Sequence, residues 1–91
     1  MMSYRLEVFR KVAESGSITK AARALHLSQP AVTRHIQILE GHLRMPLFTR
    51  TAQGMRLTRA GIVYLEHVQQ VALAHESIVQ RLHAATGTAT G

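Results

Sequence analysis

The sequence contains no cysteine, which excludes disulfides, thiolate metal sites and a cysteine nucleophile. Its uninterrupted apolar runs are only a few residues long, too short to span a bilayer. The first residues, Met1-Met2-Ser3-Tyr4-Arg5, lack the apolar core of a secretory signal. Paired carboxylates, a Ser/His/Asp constellation and a Gly-rich phosphate loop are missing too, so catalysis has no groups to work with and an enzyme is not expected. Six histidines are present, but His67, His75 and His83 fall eight apart. Ligation from one helix needs i, i+3 or i+4 spacing, and no acid cluster joins them. Solvated or interfacial histidines are expected, with no metal and no cofactor. A soluble, intracellular protein of the cytoplasm, away from membranes, follows as an expectation.

Acidic residues are scarce as well. Eleven Lys and Arg stand against five Asp and Glu, a net charge of +6. Residues 1–57 hold nine of the bases and three of the acids, while residues 58–91 hold two of each, so the entire excess lies in the first part. A basic body with a neutral tail suggests a polyanion-binding unit joined to something that binds protein. Charge alone would also suit an anionic membrane. The chain has 91 residues, 46% of them hydrophobic, which is one small folding domain whose limited core invites a partner subunit.

Ser3 is placed to cap a first helix carrying Leu6, Phe9, Val12 and Ala13 and ending at Ser15-Gly16. Ser17 caps a second, short helix with Ile18, Ala21, Ala22 and Leu25 on one face, where the small alanines admit close approach of another helix. Ser28 caps a third, with Pro30 in its first turn, where the missing amide proton costs nothing. Three capped helices in about forty residues, two of them joined by a turn of roughly three, form a helix-turn-helix pattern. Pro46 blocks continuation. Leu47–Arg50 and Met55–Leu57 are predicted as two short strands around a tip, Thr51-Ala52-Gln53-Gly54, with glycine at the turn. Thr58 caps a last helix running to about Ala85, and residues 86–91 are expected to be a Gly/Thr linker. The predicted organisation is mainly α: a three-helix body with a hairpin over 1–57, a long helix over 58–85 and the start of a flexible hinge over 86–91, cut from something longer.

On the third helix Val32, Ile36, Leu39 and Leu43 form one apolar face. The opposite arc receives Pro30, Thr33, Arg34, Gln37 and Gly41, with Ile38 at its margin and no acid among them. Gln pairs bidentately with adenine and Arg with guanine through major-groove edges, and the N-terminal residues of a recognition helix are the ones that reach bases. Gln29, Thr33 and Arg34 are therefore the best-placed readers, and Ser28 with the helix N-terminus suits a phosphate. The plain alternative makes Gln29 and Thr33 ordinary polar surface and pairs Arg34 with Glu14 or Glu40. Arg50 and Arg56 flank the hairpin tip, which either lies over a minor groove with Gln53 at its end or is a solvated turn. Leu47, Phe48, Met55 and Leu57 close the core in either case.

These residues resemble the LysR-type transcriptional regulators. The stretches Phe9–Ser17, Ala21–Arg34, Leu39-Glu40, Pro46–Arg50 and Leu57–Gly61 occur in the family's order and, with the helix that follows, the resemblance covers about residues 4–85. The block Ser28-Gln29-Pro30-Ala31-Val32-Thr33-Arg34 is its most specific part. The resemblance implies a bacterial regulator with a winged helix-turn-helix, binding double-stranded promoter DNA as a dimer and often as a dimer of dimers. It implies base reading by Gln29, Pro30, Ala31, Thr33 and Arg34, and phosphate contacts from Ser17, Thr19, Ser28, Gln37 and Arg50, to which the hairpin itself adds Gln53 and Arg56 as candidate wing contacts. It also implies antiparallel pairing through the long helix. An effector would act through a C-terminal domain outside these residues, and RNA polymerase is a candidate partner. Two positions depart from the family's habit. Arg44 stands where glycine usually ends the third helix, and Gln53 stands where the wing tip often carries a base.

In the long helix Leu65, Val68, Ala72, His75, Val79 and Leu82 repeat at alternating spacings of three and four, widened by Tyr64, Val71 and Ile78. All nine are expected in a dimer interface, the first turns of the stripe also packing on their own domain and the distal half meeting a second copy. His75 interrupts the seam and is expected at its rim. Two rivals remain: a protein-interaction module using the helix-turn-helix as scaffold, and a charge-driven membrane or RNA binder.

Overall fold

A computed structural model describes residues 3–87. Four helices and one hairpin follow in the order α1 (Tyr4–Ser15), α2 (Ile18–Leu25), α3 (Gln29–Leu43), β1 (Phe48–Thr51), β2 (Gly54–Leu57) and α4 (Arg59–Thr86). Each helix starts where a hydroxyl residue meets an orphan amide. The Ser3 side chain accepts from Arg5 N, Ser17 from Lys20 N, Ser28 from Ala31 N and Thr58 from Gly61 N. Such caps contribute about 1 kcal/mol each. Gly16 ends α1 at φ 67° and Gly87 ends α4 at φ 72°. The other two helices end in the same left-handed conformation without glycine, at His26 and Arg44, both with φ 57°. Arg44, standing where glycine is usual, thus ends α3 in the left-handed region that disfavours a side chain. The same exception at His26 has no counterpart in the sequence-based expectations.

Helices α1, α2 and α3 enclose Val8, Phe9, Val12, Ile18, Ala21, Ala22, Val32, Ile36 and Leu39, and Leu47, Phe48 and Val68 complete the buried set. Ala21 and Ala22 are almost fully enclosed, as the small-residue face of α2 requires. Phe9 sits at the centre, its ring 5.4 Å from Phe48 and 5.3 Å from Tyr64 in an edge-on packing. Met55 and Leu57 pack on the same core, so the hairpin does close it.

The strands are antiparallel, pairing Phe48 with Leu57, Thr49 with Arg56, Arg50 with Met55 and Thr51 with Gly54. Each is displaced from expectation. Leu47 precedes β1 as a buried connector whose carbonyl accepts from Thr58 N at 3.0 Å. Gly54 lies inside β2 rather than at the tip, which is Ala52-Gln53. Glycine is needed there for a close approach: a Cβ on Gly54 would stand 2.5 Å from the Gly16 carbonyl oxygen, and φ is +120°. Met55 N donates to that same oxygen at 3.0 Å, tying the hairpin to the α1–α2 junction. Gly61 is held by a comparable approach, since a Cβ there would run into the Leu47 carbonyl.

Helix α4 has 28 residues, about 42 Å at ~1.5 Å per residue. The chain measures 51 × 26 × 21 Å, so the distal half of α4 projects from the body. It extends through Thr86, one residue beyond the expected end, and the rest of the expected linker, residues 88–91, lies outside the described residues. Among the described residues no helix is long and apolar enough to cross a membrane.

Candidate nucleic-acid interface

The outer face of α3 is built from its first turn. Ser28 Oγ accepts from Ala31 N at 3.2 Å, which fixes the helix start and leaves Gln29 and Pro30 exposed at its tip. Arg34 and Gln37 are exposed one and two turns later, while Ala31 and Thr33 are half-buried. Across a gap from this tip stand the start of α2 and the hairpin. Together they form an open groove of about 570 Å³ lined by Ser17, Ile18, Thr19, Gln29, Pro30, Thr33, Arg50, Gly54 and Met55. Six residues expected to touch bases or phosphates, Ser17, Thr19, Gln29, Pro30, Thr33 and Arg50, thus share one concavity, and no acid lines it.

A smaller groove of about 250 Å³ continues along α3 past Thr33, Gln37 and Arg50. Its one acid, Glu40, is engaged elsewhere. The Glu40 carboxylate accepts from Leu47 N at 2.6 Å and from Phe48 N at 3.3 Å. This staple holds β1 against α3 and satisfies two amides that the turn at Pro46 leaves without backbone partners. Glu40 is therefore not a partner for Arg34, and Glu14 forms no ion pair with it; among the described residues the only ion pair is Arg10 with Glu7.

The hairpin separates the two arginines that flank its tip. Side chains alternate along a strand, and the register places Arg50 with Met55 on one face and Arg56 with Thr49 on the other. Arg50 joins the groove; Arg56, exposed on the reverse face, and Gln53, exposed at the tip, do not. Arg34 also lies outside the wing-side groove, on the far flank of α3 beside Ala31, His35, Ile38 and Arg5. Arg5 was missed by the sequence reading: it belongs to α1, and only the packing of α1 on α3 brings it there. Its position in a basic N-terminal segment was the sole signal.

The stripe on α4 divides where the body ends. Val68 is fully enclosed by its own domain, a correction to its expected place in a subunit interface. Tyr64 and Leu65 are half-buried against the same core. Beyond them Val71, Ala72, His75 and Val79 are half-exposed, and Ile78 and Leu82 are 41% and 54% exposed. Leu73 at 65%, Ile62 and Val63 are exposed apolar residues off this stripe.

Residues 4–62 match the profile of the bacterial regulatory helix-turn-helix proteins of the lysR family. The chain belongs to that family. This LysR-family chain is 44% identical over 86 residues to the HTH-type transcriptional regulator TfdS of Cupriavidus pinatubonensis, an alignment covering 93% of this chain and 29% of the relative. It is 45% identical over 84 residues to the HTH-type transcriptional regulator ClcR of Pseudomonas putida, covering 91% and 28%. The chain thus spans less than a third of the length of these relatives. In structure it resembles the CbnR DBD–DNA complex, with a TM-score of 0.85 and 37% identity over 94% of this chain and 99% of that one. The BenM DBD/benA site 1 DNA complex is similar, with a TM-score of 0.86 and 28% identity over 93% and 99%. The winged helix-turn-helix expected from the sequence is the fold observed, and the relatives are named as regulators rather than enzymes.

Proposed function

We propose that this LysR-family winged helix-turn-helix is the module of a bacterial cytoplasmic transcription regulator that binds promoter DNA, with α3 in the major groove. The convergence of Ser17, Thr19, Gln29, Thr33 and Arg50 in one acid-free concavity around the α3 tip carries this reading. Gln29, Pro30, Ala31, Thr33 and Arg34 are assigned to base edges, and Ser17, Thr19, Ser28, Gln37 and Arg50 to the phosphates. Gln53 and Arg56 are assigned to backbone contact beside the wing. The distal stripe of α4, Val71, Ala72, His75, Ile78, Val79 and Leu82, pairs with a second copy, giving two recognition helices per dimer. Complexes of the similar CbnR and BenM domains with DNA support the same role. Tetramer formation, contact with RNA polymerase and response to an effector would belong to the longer protein that relatives of this length suggest.

Selection of bound sites from random duplexes, followed by a footprint, tests the reading; the recovered site is expected to show partial two-fold symmetry. Within it, Arg34→Ala is expected to cost about 1–3 kcal/mol and to relax preference at one base pair. Equal loss on the selected and on a scrambled duplex would make Arg34 a phosphate contact instead.

A further inference from the structure

Given the DNA-binding role proposed above, we infer that Arg5, with His35, forms a second phosphate-binding pocket that grips the DNA backbone on the flank of α3 away from the wing, beside the base-reading Arg34. The pocket, about 250 Å³, is lined by Arg5, Ala31, Arg34, His35 and Ile38. It brings two guanidinium groups and an imidazole together with no carboxylate on its wall. Neither arginine forms an ion pair among the described residues. The acids of the body are occupied or distant: Glu7 holds Arg10, Glu40 holds the Leu47 and Phe48 amides, and Glu14 is exposed on the last turn of α1. Two polar atoms at this corner, Arg5 Nε and His35 Nδ1, are buried without a hydrogen-bond partner. Buried polar groups are ordinarily satisfied, and a buried guanidinium nitrogen with no partner calls for an anion.

The position of the pocket says which anion. At about 100° per residue from the core-facing Val32, Thr33, Gln37 and Glu40 turn about 80–140° one way, and Ala31, His35 and Ile38 turn about 60–120° the other. The wing-side grooves take the first set and the Arg5 pocket takes the second. A helix seated in a major groove about 12 Å wide has a sugar–phosphate strand on each side. Ser17, Thr19 and Arg50 serve one strand, and Arg5 serves the other. His35 is steadied by an edge-on contact with Tyr4, ring centroids 5.7 Å apart, which joins the start of α1 to this flank of α3.

The test titrates the 91-residue chain and its Arg5→Gln and Arg5→Lys variants against the selected duplex and a scrambled one over a range of salt. Arg5→Gln is expected to weaken both duplexes alike, about eightfold near 0.1 M salt, and to lower the slope of log K against log salt by about 0.9 per protomer bound. Arg5→Lys is expected to restore the slope. A loss confined to the selected duplex would make Arg5 a base reader, and an unchanged slope would make it structural; either overturns the pocket alone. No binding by the wild-type chain would overturn the DNA role and the pocket with it. Should Arg5→Gln fail to fold, replacing single phosphates by neutral methylphosphonates tests the wild-type chain directly. Sensitive positions are expected on both strands bordering the occupied major groove, and sensitivity on the wing-side strand alone overturns the proposal. Inorganic phosphate titrated without DNA, followed by the NMR signal of Arg5 Hε, separates the sources. Saturation by free phosphate that leaves the methylphosphonate pattern one-sided would make this a free-anion site and also overturn it.

Discussion

Arg44 ends α3 at φ 57°, where a side chain costs about 1–2 kcal/mol relative to glycine. Arg44→Gly is therefore expected to raise stability by about 0.5–1 kcal/mol, this relieved strain less the entropy that glycine adds to the unfolded chain. Thermal denaturation should show a rise of several degrees at this chain length. Glu40 works the other way. Glu40→Ala removes the acceptor for the Leu47 and Phe48 amides and is expected to cost about 2–3 kcal/mol, measured by urea unfolding. The Arg44 departure was visible in the sequence because a helix end is a local event. The role of Glu40 was not, because its partners lie seven and eight residues away across the turn at Pro46. Arg5 was hidden for the same reason at longer range.

At the scale of elements, all four helix starts were legible because each is signalled by a hydroxyl residue whose acceptor serves an amide two or three positions on. The strands were legible in number and order but not in position. A four-residue strand is placed by what it packs on, here by the Glu40 staple on one side and by the Gly54–Gly16 contact on the other. Gly61→Ala, which would press a methyl into the Leu47 carbonyl, is expected to destabilise by about 1–3 kcal/mol in the same urea experiment. The α4 stripe shows where periodicity stops being informative. Val68 and Leu82 occupy equivalent positions on the repeat, two heptads apart, yet one is enclosed by its own body and the other is exposed. Ile78→Glu and Leu82→Glu are expected to leave helicity intact while weakening self-association at least about tenfold by sedimentation. Val68→Glu is expected to unfold the domain.

For the whole molecule, the +6 charge matters through its placement. Arg50 stands on one flank of α3, Arg5 and Arg34 on the other, and the neutral α4 lines neither groove. With Arg56 beside the wing, Arg5 and Arg50 bring the phosphate-bound guanidinium groups to about six per dimer. Affinity is then expected to fall about a thousandfold between 50 and 200 mM salt, with a slope near −5 in log K against log salt. Affinity measured on the selected duplex across that range checks this.

The sequence by itself determined the helices, their caps, the core face of α3 and the family, because these are written in residue types at short, regular spacing. Tertiary packing alone decided that Arg50 faces the groove while Arg56 faces away, that Glu40 is bound within the body, that Val68 is unavailable to a partner and that Arg5 stands beside Arg34. Each of those outcomes depends on a contact between elements far apart in the chain, and no local spacing encodes the distance across a folded interior.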